Sequence, residues 1–199
     1  NLLLNFNNGS GLYIVGDVIG NLALSSTTSS STISIGGAST SSINIVLPIN
    51  DQTFGRFELN RNSLVKWNKG GGYWVAWYSC SVTTGTIDIT GFANGQVLYL
   101  YGNTNLGSTW KSKNTLVMDF RGTGSISGNL NFQNGFNALN ILRLNKSGQT
   151  LSLGTPLDIY SDVNVLAGTL STNGNLTLKS NATQKARINV LGTSADVTG

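Results

Sequence analysis

The sequence predicts an all-β protein built as a parallel β-solenoid, with a β-sandwich as the alternative. Gly, Asn, Ser and Thr supply 94 of the 199 residues, against nine Ala and one Glu, and this composition disfavours helices. The chain is not predicted to be disordered, because 39% of its residues are hydrophobic and only 10% are charged. Short alternating apolar pairs near the carboxyl end then favour the solenoid over the sandwich.

Those pairs recur between residues 150 and 178, and their first members lie 6, 6, 7 and 6 residues apart. Alternation with period two places both members of a pair on one face of a strand. Turn residues separate the pairs, whereas the strands of a sandwich turn every 8–12 residues or so. Strands of about four residues that turn this often fit the coils of a solenoid. The positions are Leu151/Leu153, Leu157/Ile159, Val163/Val165, Leu170 and Leu176/Leu178.

Residues 1–66 are predicted to form the amino-terminal coils. Strands are expected at residues 12–15, 22–24, 33–35 and 43–47, where apolar and polar residues alternate. Between them lies a polar run, Ser25 to Thr32, with the sequence SSTTSSST. This run is expected to form a loop, although a flat exposed strand with a row of hydroxyl groups is the other interpretation.

Residues 67–113 differ from the rest of the chain and are predicted to form an irregular aromatic-rich insertion or longer coils. The segment 67–80, WNKGGGYWVAWYSC, contains three of the four Trp residues. Three glycines at 70–72 provide a permissive turn just before Tyr73. Further strands are expected at residues 86–89 and 97–101.

Internal similarity supports a repeating fold. Residues 57–63 (FELNRNS) resemble residues 142–148 (LRLNKSG) at a displacement of 85 positions. In both segments an apolar residue is followed by Asn and then by a basic residue. Because Asn tolerates left-handed turns and can stack its amide on the same residue of the next coil, Asn60 and Asn145 are predicted to be turn asparagines.

Residues 114–199 are predicted to form regular coils, and here the chain resembles a known class of proteins. Residues 144–154 (LNKSGQTLSLG) and 165–183 (VLAGTLSTNGNLTLKSNAT) are similar to repeats of large, adhesin-like surface proteins of the Bacteroidetes that are exported by the type IX secretion system. The resemblance covers residues 114–199 and extends loosely to residues 1–66. It implies a right-handed β-helix, a secreted or outer-surface location and a possible contact with the secretion machinery. It carries over no catalytic residues, and we expect the chain to be a segment of a longer protein.

The aromatic segment contains the leading candidate site. Rings of Trp and Tyr stack on the C–H faces of sugars, so Trp67, Tyr73, Trp74 and Trp77 are candidates for carbohydrate binding, with Tyr99, Tyr101 and Trp110 as possible neighbours. Residues 73–78 place aromatic rings on both faces of a strand, so one face is expected to belong to the core. Packing of these rings inside the solenoid and a protein interface are the alternatives.

Other chemistry has little support in the sequence. The chain has no His and one Cys, and it carries the small net charge of +4, which is typical of neither a metal centre nor a nucleic-acid surface. Cys80 is expected to be a small buried hydrophobic residue. The pair Asp158 and Asp162 could share a cation or flank a glycosidic bond, but an ordinary solvated turn is the expected role. Four basic residues near the aromatic segment are expected to lie in solvent: Arg56, Arg61, Lys66 and Lys69.

The functional hypothesis is a non-catalytic structural or adhesive segment of a secreted bacterial cell-surface protein, with a surface glycan or polysaccharide as a possible partner. We expect no cofactor, no metal, no nucleic acid and no insertion into a membrane. One alternative is a carbohydrate-binding module that uses the Trp/Tyr cluster. The other is a β-helical enzyme that degrades polysaccharides.

Overall fold

A computed structural model describes residues 2–6 and 9–199 of the chain. It is all-β, and its strands stack in parallel as a β-solenoid of about eight turns. This confirms the predicted solenoid, because the strand pairs of a sandwich would be mainly antiparallel. Within the described residues, no helix has the length and apolar character that crossing a membrane requires.

The chain forms seventeen strands along the described ranges. Long strands continue around corners of the solenoid, and short ones occupy a single side. They are β1 (Leu2–Phe6), β2 (Gly11–Ile14), β3 (Asn21–Ile35), β4 (Ile43–Leu47), β5 (Gln52–Lys69), β6 (Trp74–Phe92), β7 (Val97–Leu100), β8 (Thr104–Leu106), β9 (Thr109–Lys111), β10 (Val117–Arg121), β11 (Ile126–Ser127), β12 (Asn129–Phe132), β13 (Ala138–Leu153), β14 (Leu157–Ser171), β15 (Leu176–Leu178), β16 (Arg187–Val190) and β17 (Ala195–Thr198).

Each coil passes through up to three flat faces. On one of them Ile43 pairs with Val65, Val65 with Ile87 and Ile87 with Trp110, so a coil takes 22 or 23 residues here. The first face contains β1, β4, β9, β12 and β17 with residues 21–26, 64–69, 86–92, 150–153 and 168–171; the second contains β2, β8 and β11 with residues 32–35, 56–59 and 79–82; the third contains β7, β10, β15 and β16 with residues 52–54, 74–77, 138–145 and 157–165.

The core is a set of apolar columns that run along the solenoid. On the third face Val75, Leu98, Met118, Leu142 and Val163 pair in succession, and all five side chains are buried. Residues between the inward positions face outward, as the period-two alternation predicts. Each buried aliphatic side chain contributes about 1.5–3 kcal/mol of hydrophobic stabilisation. Since inward side chains pack mainly on those of neighbouring coils, one coil stabilises the next.

The polar run from Ser25 to Thr32 lies inside β3, so the predicted loop is wrong. The hydroxyl groups of Ser26 and Ser31 are buried and lie 3.0 Å apart in a hydrogen bond, which satisfies them inside the corner. The pairing of β3 with β5 shifts register between Thr28 and Thr32, where the strand turns the corner. Buried hydroxyl pairing therefore lets a Ser/Thr run continue as a strand where the sequence suggested a loop.

The aromatic segment continues the same coils. Within residues 67–113, β6 pairs in parallel with β5 on one side and with β7, β8 and β9 on the other. The corner at residues 70–73 is fixed by Asp51, whose Oδ1 accepts hydrogen bonds from the backbone N–H groups of Tyr73 at 2.7 Å and Trp74 at 2.9 Å. Gly72 at this corner has a φ of 74°, a left-handed conformation that favours glycine.

The second face ends before the carboxyl-terminal coils. Its last strand is β11, and the following coils pass from the third face to the first through residues 145–150. Leu151 consequently pairs with Leu170, only 19 residues later. The solenoid thus changes from three faces to two, and the side chain of Lys146 fills the interior at this point.

Candidate functional site

Three of the four Trp side chains form the centre of the core. Trp67, Trp77 and Trp110 are all 0% exposed, and the ring of Trp77 lies 5.1 Å from that of Trp67 and 6.2 Å from that of Trp110, measured between centroids. Phe57 stacks on Trp77 at 4.6 Å. We call Phe57, Trp67, Trp77 and Trp110 the buried stack. Its position follows from strand parity, because Val75 and Trp77 of β6 point inward together.

The predicted carbohydrate-binding set is therefore divided by the wall of the solenoid. Trp67 and Trp77 are inside, so a ligand at the surface has no access to either ring. Trp74 is half-buried and faces outward, whereas Tyr73 is 80% exposed at the preceding corner. Of the possible neighbours, Trp110 joins the buried stack, and Tyr99 and Tyr101 lie on the outside beside Trp74.

The outward aromatic residues form a continuous surface on the third face. Tyr78 and Tyr101 stack at 4.8 Å with an angle of 11° between their planes, which matches the spacing of adjacent strands. Tyr99 lies 5.8 Å from Tyr101 and 6.1 Å from Trp74, between ring centroids. We call Trp74, Tyr78, Tyr99 and Tyr101 the aromatic patch. Tyr78 was not among the predicted site residues, although its parity with Trp74 and Ala76 was visible in the sequence.

A charged cluster borders the aromatic patch on the next two coils. The guanidinium of Arg121 lies 4.3 Å from the centre of the Tyr99 ring, and its Nε donates to Asp119 Oδ1 at 3.0 Å. Arg143 approaches the same carboxylate at 3.6 Å, and Asp119 is only 1% exposed. The hydrogen bond to Asp119 raises the pKa of Arg121 above its ordinary value, so the cation over the ring stays charged.

A small pocket of about 190 Å³ opens beside the stacked tyrosines. Tyr78 and Tyr101 form its aromatic wall, and Gly102, Gly122 and Thr123 complete the lining. Gly102 is required at this corner because its N–H donates to the Tyr78 carbonyl at 2.9 Å and a Cβ would collide with that oxygen. The missing side chains leave the flanks of both rings accessible. An aromatic wall with nearby hydrogen-bonding groups is chemistry that suits a sugar ring.

The two carboxylates considered for catalysis are both held in ion pairs. Asp158 lies 3.3 Å from the ammonium of Lys179, and Asp162 Oδ1 lies 3.0 Å from Nε of Arg187. A hydrogen bond from Ser161 lowers the pKa of Asp162, with Asn189 and Arg187 adding to the effect. These contacts give both residues a structural role between coils. The described residues contain no group of three or more His, Cys, Asp or Glu side chains that could hold a metal.

Cys80 is buried, as expected, and burial raises the pKa of its thiol, so it lacks thiolate character. Two of the four basic residues expected in solvent are also buried, contrary to the prediction. Arg61 donates to the carbonyl oxygens of Gly16 and Ser41, both at 2.8 Å. Lys69 donates to the carbonyl of Ile49 at 3.1 Å.

A third buried cation, Lys146, lies where the second face ends. Its ammonium group donates to the carbonyl oxygens of Tyr101 at 2.6 Å and Gly102 at 2.5 Å. Burial lowers its pKa to about 8. The similarity between residues 57–63 and 142–148 does contain a structural signal, since Arg61 and Lys146 both turn inward after an exposed Asn. Neither Asn60 nor Asn145 has a positive φ, so the left-handed turn predicted for them is wrong.

The turn asparagines occupy another corner, between the first and third faces. Four β-turns recur there, at residues 93–96, 113–116, 133–136 and 172–175, each closed by a hydrogen bond between its first and last residues. Three of them contain Asn-Gly, a turn signal that the sequence shows at 94–95, 134–135 and 173–174. The wide, shallow groove beside these turns has a volume of about 490 Å³ and a lining rich in side-chain amides. We call it the amide groove.

The predicted stacking of asparagine amides occurs at other positions than expected. Asn44 donates to the side chain of Asn21, and Asn68 donates to that of Asn44, which forms a ladder on the outside of the first face. Asn189 donates to Asn164 Oδ1 at 2.8 Å on the third face. These ladders stabilise adjacent coils and leave the aromatic patch and the amide groove as the two candidate binding surfaces.

Comparison of the chain with protein families, with curated proteins and with solved structures found no match. Functional argument therefore rests on the geometry of the two surfaces.

Proposed function

We propose that this chain is a non-catalytic adhesive segment of a secreted bacterial cell-surface protein, and that its aromatic patch binds a surface carbohydrate. The observation that carries the proposal is the exposed ladder of aromatic rings on a rigid sheet. Trp74, Tyr78, Tyr99 and Tyr101 contact one another across two adjacent coils, outside the core.

The scaffold supports such a role because it fixes the rings before a ligand arrives. Strand pairing holds Ala76 beside Tyr99 and Trp77 beside Leu100, which sets the spacing of the rings at the spacing of the coils. Tyr side chains lose little conformational entropy on binding, and a preformed surface loses even less. The sugar would therefore contact rings that already have the geometry of the bound state.

The polar border provides the second element of carbohydrate recognition. Asp119 and Arg121 lie within reach of the rings, and their mutual hydrogen bond orients the guanidinium toward Tyr99. Arg121 and Arg143 together give this border a positive character that suits a sugar with carboxylate or sulfate groups. We infer that the preferred glycan is acidic.

The secreted location and the Bacteroidetes relationship belong to the same proposal and rest on the resemblance of residues 144–154 and 165–183. A stack of about eight coils with little charge is a suitable spacer for displaying a binding face. The ion pairs of Asp158 and Asp162 with Lys179 and Arg187 favour a binding role over hydrolysis.

A glycan array probed with the labelled protein tests the proposal. The expected result is binding to acidic glycans that Tyr78→Ala and Tyr101→Ala each weaken tenfold or more. The control is Tyr13→Ala, because Tyr13 is 71% exposed on the outside of the second face, away from the patch. Equal binding by all four proteins, or binding by none of them, would contradict the proposal.

A further inference from the structure

The amide groove lies at the corner where the first face passes into the third. Its walls come from successive coils: Asn94 and Asn114 from two of the recurring turns, Asn140 from the start of β13, and Tyr160 from β14. These four residues belong to four adjacent coils, so the groove extends over three inter-coil spacings, about 14 Å along the solenoid.

Uncharged polar groups dominate the lining. Asn94, Asn114, Asn140, Asn181 and Gln184 contribute side-chain amides, and Tyr160 contributes one phenol ring. An amide presents both donors and an acceptor, and each sugar hydroxyl also donates and accepts. No charged residue and no aliphatic side chain lines the groove, which disfavours an anion or the apolar side chains of a peptide.

Several of these groups have no partner within the described residues. The side-chain amides of Asn114 and Asn140 and the phenol of Tyr160 make no hydrogen bond to any of residues 2–6 or 9–199. Asn140 and Tyr160 are also partly buried, so they have limited access to bulk water. Polar groups that are half-buried and converge on a groove are suited to a ligand that replaces their water.

The backbone around the groove is already fixed. The turn at residues 93–96 is joined to the next by a hydrogen bond from Gly95 N–H to the Thr115 carbonyl at 2.9 Å. The Thr115 hydroxyl donates to Asn94 Oδ1 at 3.0 Å. These contacts lock the two turns in register, so the Asn114 amide is held at the edge of the groove.

The opposite wall is an excursion from the last coil. Gly168 to Ser171 pair with Ala195 to Thr198, 27 residues later, and the additional length includes residues 179–186 between β15 and β16. Asn181 folds this excursion, because its Oδ1 accepts from the backbone N–H groups of Thr183 at 2.9 Å and Gln184 at 2.8 Å. A coil does not need these residues to close, and their effect is to build a wall beside Tyr160.

We propose that the amide groove binds an uncharged oligosaccharide of two to four sugar units, with one ring stacked on Tyr160 and its hydroxyl groups bonded to Asn114 and Asn140. This site is separate from the aromatic patch and does not depend on it. It differs in chemistry as well, since amides line the groove and arginines border the patch.

Chemical-shift titration of the ¹⁵N-labelled protein with cellotetraose, xylotetraose and mannotetraose tests this inference. At least one neutral tetrasaccharide is expected to shift the side-chain amide signals of Asn114 and Asn140. Tyr160→Ala and Asn114→Ala should each raise its Kd fivefold or more. Gln184→Ala, at a fully surface position of the lining, provides a third variant in case one of the others folds poorly.

The controls separate this proposal from the proposed function. Tyr78→Ala should leave the affinity for the neutral tetrasaccharide unchanged, and tetragalacturonic acid should not compete at the groove. The inference would be overturned if none of the three neutral probes shifts these amides at 10 mM. Loss of binding in Tyr78→Ala with none in Tyr160→Ala, or a response to the acidic probe alone, would also overturn it.

Discussion

The interior and the exterior of the same coils use aromatic residues in opposite ways. Trp77 and Tyr78 are neighbours in β6, yet Trp77 is fully buried against Phe57 and Trp67, whereas Tyr78 is 44% exposed and stacks on Tyr101. One residue of displacement along the strand thus separates a structural ring from a candidate binding ring. The comparison teaches that the density of aromatic residues in residues 67–80 is not itself a site; the parity of each residue decides its role.

The largest expected effect comes from breaking the interior half of this comparison. Trp77→Ala should lower the free energy of unfolding by about 3–5 kcal/mol, because it leaves a cavity in the buried stack. Tyr73→Ala is the matched control in the same segment, and its 80% exposed side chain should change stability by less than about 0.5 kcal/mol. Urea unfolding followed by circular dichroism measures both, and similar losses for the two variants would show that the assignment of inside and outside is wrong.

The next effect concerns the carboxylate beneath the exterior cluster. Asp119→Asn should cost about 2–4 kcal/mol, because Arg121 and Arg143 would lose a partner that is almost completely buried. The exposed ion pair of Arg56 with Glu58 provides the control, and Glu58→Gln should cost less than about 1 kcal/mol. Chemical denaturation at low and high salt distinguishes them, since only an exposed pair is screened strongly. An equally small cost for Asp119→Asn would contradict its placement.

Lys146 connects the interior to the exterior patch through the carbonyl of Tyr101. Burial lowers the pKa of this lysine to about 8, below the unfolded value of about 10.4. Between these values the unfolded state binds more protons, so the contribution of Lys146 to stability should increase as the pH rises from about 8 toward 10. In Lys146→Met that increase should disappear, which unfolding free energies at pH 7.5, 8.5 and 9.5 would reveal as a difference between the two proteins. Parallel pH profiles would contradict the burial of a titrating ammonium group.

The smallest effect is expected for the asparagine ladder on the exterior of the first face. Asn44→Ala should cost about 0.5–1.5 kcal/mol, because it interrupts side-chain hydrogen bonds with Asn21 and Asn68. The exposed Asn62 makes no such contact and is the control. Thermal unfolding of Asn44→Ala and Asn62→Ala should show a lower midpoint only for the first, and equal midpoints would remove the ladder from the account.

Much of the fold could be predicted from the sequence because the spacing of residues such as Leu151, Leu157 and Val163 expresses both strand parity and coil length. The role of Ser25 to Thr32 could not, since the hydrogen bond between Ser26 and Ser31 forms only when the corner closes. Buried cations were missed for a similar reason: the carbonyl oxygens that receive Arg61 and Lys146 are distant in sequence. For Lys146 they lie 44 and 45 residues away.

The candidate site was predicted in part. The alternation in residues 73–78 showed that aromatic rings lie on both sides of the strand, but it did not show which side is the core. That choice depends on the register between β5 and β6, which places Trp77 beside Phe54. The amide groove was not predicted at all, although the Asn-Gly turns at 94–95, 134–135 and 173–174 would have indicated its corner.

Titration of the ¹⁵N-labelled protein with an acidic glycan selected on the array tests the central claim most directly, because the four Trp residues report separately on the inside and outside of one wall. We expect the indole N–H signal of Trp74 to shift on binding, while those of Trp67, Trp77 and Trp110 stay in place. Saturating glycan that leaves Trp74 unmoved, or that moves the three buried indoles instead, would contradict the account.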